Sequence, residues 1–329
     1  LLWALSGCAA WHGPVTDHFD GTRFHTPGAP ERYSSIAGVI KWNLHRDEGP
    51  WSPARDVPPG PTPPHRVGLG QMRVTFINHA TTLLQLDRLN VLTDPVWMER
   101  ASPVQLVGPR RVRPPGIAFE ELPPIDVVLL SHAHYDHLDV TTLRRLQDAF
   151  PMVQIFCGLG IKQLLVGAGL HHVHQFDWGN QAHVGEVTFR STKNQHFSNR
   201  GLTDMDHSLW TAWTLTGTHA GKAYFAGDTG YGAHFKEAGD AQGPFRLAVL
   251  PIGAFRPEWF MSAIHEDPKQ AVQAAIDLRA KTAVPMHFGT FPLADDGEVE
   301  AVDLLRAEVA ARGYGGFKVL DFGEGLDVP

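Results

Sequence analysis

Ile125-Asp-Val-Val-Leu-Leu-Ser-His-Ala-His-Tyr-Asp-His-Leu138 joins an apolar run to four metal-ligating side chains. The run at 125–130 has the composition of a strand buried on both faces, which is the habit of strands in parallel sheets covered by helices. Immediately after it stand His132, His134, Asp136 and His137. Ligands at the end of a buried strand rest on a rigid support and face a cleft. Neutral imidazole with carboxylate suits Zn, Fe, Mn or Ni. Four candidate ligands from so short a segment exceed what one open catalytic ion takes. The spacing suggests that His132 and His134 hold one ion while Asp136 and His137 reach a second. The chain has 19 histidines, so a stray pair would mean little, but H-x-H-x-D-H after a strand is far more specific.

Outward from this segment the pattern alternates strands and helices. Strands are expected at 72–78, 82–86, 90–93, 152–157, 186–192, 208–216, 223–226, 247–251, 282–286 and 317–320. Helices are expected at 140–150, capped by Asp139 or Thr141, at 161–168, and at 269–280, where Asp267-Pro268 is a good helix start. Strands come in runs with helices between them in both halves. That favours an α/β fold of two packed mixed sheets with helices on the outer faces. Upstream, Pro58-Pro-Gly-Pro-Thr-Pro-Pro64 excludes helix and inner strand. Residues 9–70 read as a Pro-rich arm wrapped on the domain, with a helix around 34–43, and residues 71–329 as the main domain.

The bulk numbers allow one large domain or two small ones in 329 residues. An apolar fraction of 43% provides a sizeable core. The net charge of −7 argues against a nucleic-acid surface. Two cysteines, Cys8 and Cys157, supply neither a disulfide framework nor a thiolate zinc site. Leu5-Ser-Gly-Cys8 resembles a bacterial lipobox, so residues 1–8 are expected to be the remnant of a lipoprotein signal. The corresponding expectation is a protein of the bacterial cell envelope, lipid-anchored through Cys8, and otherwise a cytoplasmic one.

Two ions need more ligands than one motif supplies. His196 in Gln195-His-Phe-Ser198, Asp228 in Phe225-Ala-Gly-Asp-Thr-Gly230 and His287 in Val284-Pro-Met-His-Phe-Gly289 each follow a strand and precede a small turn. The Asp228 carboxylate is placed to bridge both ions. Singly each is weak; together and in this order they form a set.

The order Asp94, His132-x-His134-x-Asp136-His137, His196, Asp228, His287 resembles the five motifs of the metallo-β-lactamase superfamily. Asn78-His-Ala-Thr-Thr-Leu83, Leu92-Thr-Asp-Pro-Val96, Ser102-Pro-Val-Gln-Leu-Val-Gly-Pro-Arg-Arg111 and Leu122-Pro-Pro-Ile-Asp126 resemble, within it, the N-acylphosphatidylethanolamine-hydrolysing phospholipase D family. So do Gln195-His-Phe-Ser-Asn-Arg-Gly201, Ser208-Leu-Trp210, Gly227-Asp-Thr-Gly-Tyr231 and Pro251-Ile-Gly-Ala-Phe-Arg-Pro-Glu-Trp-Phe-Met261. The resemblance covers residues 70–325 and implies an αββα sandwich. It implies that His132, His134 and His196 bind one divalent ion, that Asp136, His137 and His287 bind another, and that Asp228 bridges. Zinc is the first expectation, with manganese or iron as alternatives. Asp94 would then orient a ligand histidine by hydrogen bond. Local departures at Asp177-Trp-Gly-Asn180 and His265-Glu-Asp-Pro268 bear on lipid specificity more than on hydrolysis.

Two such ions hold a bridging hydroxide at neutral pH, a nucleophile suited to in-line attack on phosphorus. The expected activity is a phosphodiesterase of phospholipase D type on N-acylphosphatidylethanolamine or a related phospholipid, working at a membrane surface. Asp136 and His265 are the expected catalytic groups, with His265 placed to give a proton to the leaving group. Arg110, Arg111 and Arg113 are candidates for phosphate contacts, and His79 for bracing the ligands. A lactonase or small phosphoester hydrolase on the same site is the alternative. A binding lipoprotein with a degenerate site is the third reading.

Overall fold

The computed structural model describes residues 11–30, 36–201 and 203–329. The lipobox-like segment with Cys8 lies outside the described residues. Thirteen strands form two mixed sheets among these residues. The first sheet contains β1 (Met72–Asn78), β2 (Thr81–Leu86), β3 (Leu89–Thr93), β4 (Val127–Leu129), β5 (Gln154–Gly158), β6 (Val173–Phe176) and β13 (Gly325–Asp327), in the order β13-β1-β2-β3-β4-β5-β6. The second contains β7 (Gln181–Val184), β8 (Val187–Thr192), β9 (Ala212–Gly217), β10 (Gly221–Phe225), β11 (Leu247–Pro251) and β12 (Thr282–Met286), in the order β12-β11-β10-β9-β8-β7. Each sheet is antiparallel on one side and parallel on the other. The parallel parts run β3-β4-β5-β6 and β10-β11-β12.

β4 shows why the decisive stretch folds as it does. Val127 and Leu129 face the second sheet in the inner core with Phe156, Phe189 and Trp213. Val128 and Leu130 face the other way, against Leu143 and Leu146 of α2 (Val140–Ala149) and Ile161 and Leu165 of α3 (Ile161–Gly167). All four are fully buried, so alternation by side-chain direction leaves no polar face to find in the sequence. Burying one such side chain contributes roughly 1.5–3 kcal/mol. Asp139 caps α2 by accepting from Thr142 N at 3.1 Å. On the second sheet, α4 (Ala233–Gln242) and α6 (Pro268–Asp277) place Phe235, Val272 and Ala275 on the core. Asp267 and Gln270 form a capping box with Pro268 at the first turn of α6. α7 (Glu300–Arg312) follows at the end of the chain. The result is the αββα sandwich expected from the resemblance.

Strands at 247–251 and 282–286 lie where the sequence puts them. The strand expected at 208–216 starts only at Ala212; Ser208–Thr211 instead turns in beside Ser131, with Thr211 N donating to Ser131 O at 2.9 Å. Residues 317–320 make a single bridge from Phe317 to Ala283 and otherwise serve to bury Phe317 and Leu320. β6, β7 and β13, with α4, α7 and the short α5 (Glu258–Met261), are additions to the expected set.

In the N-terminal segment α1 spans Ile36–Leu44. Residues 46–66 then cross the domain without helix or strand. They are tied down by Gly49 N to Asp295 O (2.7 Å), Trp51 Nε1 to Asp296 O (2.9 Å) and Gly60 N to Gly116 O (2.6 Å). Among the described residues, no helix is long and apolar enough to cross a membrane.

Candidate metal centre

Every residue of the cluster leaves the end of a strand. His79 follows β1 directly, with Ala80 before β2; Asp94 follows β3, His132 to His137 follow β4, His196 follows β8, Asp228 follows β10 and His287 follows β12. Most of these strands are the parallel ones, whose carboxyl ends form the natural cleft of such a sheet. Three of the residues have left-handed backbones: His79 (φ 45°), Asp94 (φ 33°) and His287 (φ 62°). Such a conformation costs a non-glycine residue about 1–3 kcal/mol, and it concentrates at functional sites. Gly227 (φ 62°) has a separate reason to be glycine. A Cβ there would collide with the side chain of Ser131, so only a bare α-carbon lets the loops of the two sheets close together.

Three ring nitrogens converge in one half of the cluster: His132 Nε2, His134 Nδ1 and His196 Nε2. Their outward nitrogens are all engaged. His132 Nδ1 is 2.8 Å from Ser131 Oγ, His134 Nε2 is 2.8 Å from Asn199 Oδ1, and His196 Nδ1 is 2.8 Å from Ile264 O. Acceptors on the outside leave lone pairs on the inside, the arrangement that prepares imidazoles for a metal. Burial, with the neighbouring histidines, pushes His132 and His196 well below the usual histidine range, and His134 below it.

In the other half, His137 Nε2 and His287 Nε2 each lie 3.0 Å from Asp228 Oδ2 and 3.3 Å from Asp136 Oδ2. His137 Nε2 makes no hydrogen bond despite this proximity, and Asp228 Oδ1 is buried without any partner. These atoms point at a shared space more than at each other. Burial works against ionising Asp136 and Asp228, yet His137 and His287 hold both carboxylates well below the usual range. Reciprocally, burial opposes charging His287, but Asp228 and Asp136 raise it to about 9. The same two carboxylates raise His137 well above its ordinary value. Protons on these two imidazoles stand where divalent cations would supply the balancing charge. Donor types, convergence and orphaned atoms all fit two divalent ions, with Asp228 between His137, His287 and, at 3.9 Å, His196.

Asp94 is wholly buried and accepts from Ser131 N (2.8 Å), Ser131 Oγ (2.6 Å) and His137 Nδ1 (2.7 Å). It therefore orients His137 directly and His132 through Ser131. His79 Nε2 lies 2.9 Å from Asp136 Oδ2, and burial first, then His287, lowers its pKa to about 3, so the ring is neutral. Arg200 was not anticipated. Its Nη1 donates to Ala133 O (2.8 Å) and Leu138 O (2.9 Å), and its guanidinium lies 3.9 Å over the Tyr135 ring, splinting the ligand loop from outside. Asn199 and Arg200 lie in the Gln195–Gly201 stretch that carries the family resemblance, which is the signal that could have found them.

His265 is brought to the cluster, with Nδ1 4.0 Å from Asp228 Oδ2. Burial lowers it to about 4. At neutral pH that burial leaves it an uncharged ring at the edge of the cluster, where the sequence places it. The three arginines diverge. Arg110 is exposed and paired with Glu99 at 2.8 Å. Arg111 is buried, lowered by that burial to about 10, and spent on Met98 O (2.8 Å) and Val96 O (3.1 Å). Arg113 lies 3.8 Å over Phe322 and pairs with Asp321 at 3.2 Å. None of them is among the residues lining the cavity above the cluster. Their Gly/Pro-bounded loop reads as a basic patch, but its guanidiniums are engaged locally.

That cavity holds about 370 Å³. His134, Asp136, Asp228, His265 and His287 line it, and Val39, Trp42, Phe197, Met205, Phe260, Met261, Ile264 and Leu293 give it apolar walls. A larger cleft of about 610 Å³ near Arg100, Arg110 and Arg145 shares no residue with the cluster. The smaller cavity is the one that holds the chemistry, because catalysis needs the converging ligands.

Comparison with known proteins agrees with this geometry. Residues 89–288 match the family described as "Beta-lactamase superfamily domain". The chain is 38% identical over 229 residues to N-acyl-phosphatidylethanolamine-hydrolyzing phospholipase D 1 of Caenorhabditis elegans, an overlap of 67% of this chain and 64% of that protein. It is 38% identical over 275 residues to an uncharacterized protein of Mycobacterium tuberculosis, covering 82% of this chain and 72% of the other. A metallo hydrolase from Ignicoccus hospitalis shares the fold at a TM-score of 0.60 and 21% identity, over 79% of this chain and 99% of that one. The chain belongs to the metallo-β-lactamase superfamily of metal-dependent hydrolases, and it is a homologue of the N-acylphosphatidylethanolamine-hydrolysing phospholipases D.

Proposed function

We propose that this hydrolase is a dinuclear phosphodiesterase of phospholipase D type, cleaving N-acylphosphatidylethanolamine or a closely related phospholipid. The observation that carries the reading is the floor of His and Asp side chains beneath apolar walls in one cavity. A polar phosphodiester needs the floor, and acyl chains need the walls. The similarity to the Caenorhabditis elegans phospholipase supports the same substrate class.

In this reading His132, His134 and His196 hold one ion, Asp136, His137 and His287 the other, and Asp228 is shared. Bound there, two divalent ions supply Lewis acidity toward the phosphoryl oxygens and lower the pKa of water. The protein's own part is orientation and exclusion. Asp94, Ser131, Asn199 and Ile264 O fix which ring nitrogens face inward. Phe197, Phe260 and Met261 keep bulk water from the apolar portion of the substrate. His265, neutral and beside Asp228, is placed to hold a hydrogen bond at the cavity wall. Val39, Ile40 and Leu44 of α1 are exposed, with Val39 lining the same cavity, which suits approach to a lipid surface. A membrane tether through Cys8 would serve the same end.

The test is phosphatidic acid release from N-acylphosphatidylethanolamine vesicles by metal-analysed protein, beside Asp136→Ala and a small chromogenic diester. Two ions per chain and release that is lost in the variant are expected. Cleavage of the small diester alone would reject the lipid substrate and leave a small phosphoester hydrolase or lactonase. Protein that takes up no metal would return the binding-protein reading.

A further inference from the structure

Four of the five histidines assigned to the ions have an acceptor on their outward nitrogen: Ser131 Oγ, Asn199 Oδ1, Ile264 O and Asp94. The fifth, His287, does not. Its Nδ1 is buried with no partner. Two other buried polar atoms nearby are in the same condition, His79 Nδ1 and Asp296 Oδ1. His79, His287 and Asp296 all line one narrow void of about 10 Å³, with Trp51 and Phe291 among its other walls. The rings of His79 and His287 are 4.0 Å apart, and His287 N donates to His79 O at 2.8 Å. Three buried polar atoms without a protein partner around one small void call for a shared partner, since buried polar groups in native interiors are hydrogen-bonded to protein or ordered water.

We infer that this void holds one ordered water, and that Asp296 acts through it as the positioning residue of His287. The hydrogen count closes. His79 Nε2 faces the carboxylate of Asp136, an acceptor, so that nitrogen carries the hydrogen and Nδ1 offers a lone pair. His287 must present the Nε2 lone pair to an ion, so its Nδ1 carries a hydrogen. Asp296 Oδ2 already accepts from Ala254 N at 3.1 Å, which leaves Oδ1 as a second acceptor. The void therefore meets one donor and two acceptors. A single water accepts from His287 Nδ1–H and donates to His79 Nδ1 and Asp296 Oδ1. A void of this size admits one water and no more. The carboxylate thus reaches the ligand histidine at one remove, fixing its ring orientation and raising its basicity as direct partners do elsewhere in the cluster. The same water joins His79, and through it Asp136, so two ligands of one ion share a support. Asp296 follows His287 in the next loop but lies outside the motifs that carry the family resemblance.

This inference rests on the metal-site reading, and the test separates the two. A crystal structure at atomic resolution is expected to show one water within hydrogen-bond reach of His79 Nδ1, His287 Nδ1 and Asp296 Oδ1. Asp296→Leu removes the acceptor and fills the void. Asp296→Asn keeps an oxygen for Ala254 N but turns an N–H donor toward the water, and so preserves any merely structural role. Both variants are expected to bind zinc roughly 10- to 100-fold more weakly in chelator competition, the range seen for partners of ligand histidines. In ¹⁵N-labelled, zinc-loaded protein, the His287 Nδ1–H resonance is expected to exchange slowly in the native chain and rapidly in both variants. A dry void overturns the proposal, as does Asp296→Asn with native zinc affinity and an unchanged Nδ1–H signal. Native protein that takes up no zinc defeats the metal reading instead, while the ordered water still reports on this one.

Discussion

Asp94 Oδ2 stands 2.7 Å from His137 Nδ1, and neither side chain has any exposed surface. The same oxygen accepts from Ser131 Oγ, whose own oxygen meets His132 Nδ1. One carboxylate therefore governs a histidine from each half of the centre. Asp94→Ala is expected to weaken binding of both ions, by roughly 10- to 100-fold, as loss of an orienting partner does. Competition with a chelator reads this directly, and a variant with native affinity for both ions would refute the coupling.

The charge balance of the centre predicts opposite pH trends for stability and for metal uptake. Burial disfavours charging His287, but Asp228 and Asp136 raise it to about 9 in the metal-free protein. A raised folded pKa contributes stability that is fully present below the unfolded value near 6.5. That contribution is lost as pH rises through about 9. Metal-free protein should therefore lose stability between those limits, as measured by denaturant melts. An ion must displace the proton, so apparent metal affinity should climb over the same interval. A flat affinity profile there would contradict the assignment of His287 as a ligand.

The apolar walls predict substrate selectivity. Phe260 lines the cavity and stacks on Trp42 with ring centres 5.1 Å apart. Phe260→Asp should lower kcat/KM on a long-chain phospholipid roughly 10- to 100-fold, because burying such a side chain against apolar surface contributes about 1.5–3 kcal/mol. Hydrolysis of a small chromogenic diester should change little. Equal losses on both substrates would show that Phe260 supports the centre and not the acyl chain.

Arg200 predicts a stability effect that spreads to the metals. Its guanidinium satisfies Ala133 O and Leu138 O at the two ends of the ligand loop and covers Tyr135. Arg200→Met keeps much of the apolar stem but strips both carbonyls of their donor. The expected cost is about 1–3 kcal/mol in chemical denaturation, with weaker metal binding. Undiminished stability would mean that water replaces the guanidinium without penalty.

The sequence was most legible where burial leaves one solution. Leu247–Pro251 and Thr282–Met286 are apolar, short and buried throughout, so their bounds could be read directly. The converging His and Asp side chains were legible as a candidate ligand set because their chemistry has few other uses at strand ends. β6 and β7 were not, since they lie at sheet edges, where β6 mixes exposed residues with buried ones and β7 alternates exposed with half-buried ones. Phe317 and Leu320 look like strand residues because they are core residues, but the chain there makes one bridge only. The arginines misled for a related reason. A basic cluster in sequence says nothing about direction, and Arg111 turns inward to carbonyls while Arg110 and Arg113 find carboxylates outside. Asp296 was invisible because its relation to His287 is made in space alone.

The contact between Gly227 and Ser131 bears on how quickly an ion is exchanged. The glycine follows a strand of one sheet and the serine a strand of the other, and the Ser131 side chain sits against the glycine's α-carbon with no room for a methyl group. The ligand set is divided along that seam, with His132, His134, Asp136 and His137 on one side and His196, Asp228 and His287 on the other. Ions held as proposed would each act as a rivet between two plates. The escape of such an ion would require the plates to part, so its lifetime would measure the breathing of the sandwich.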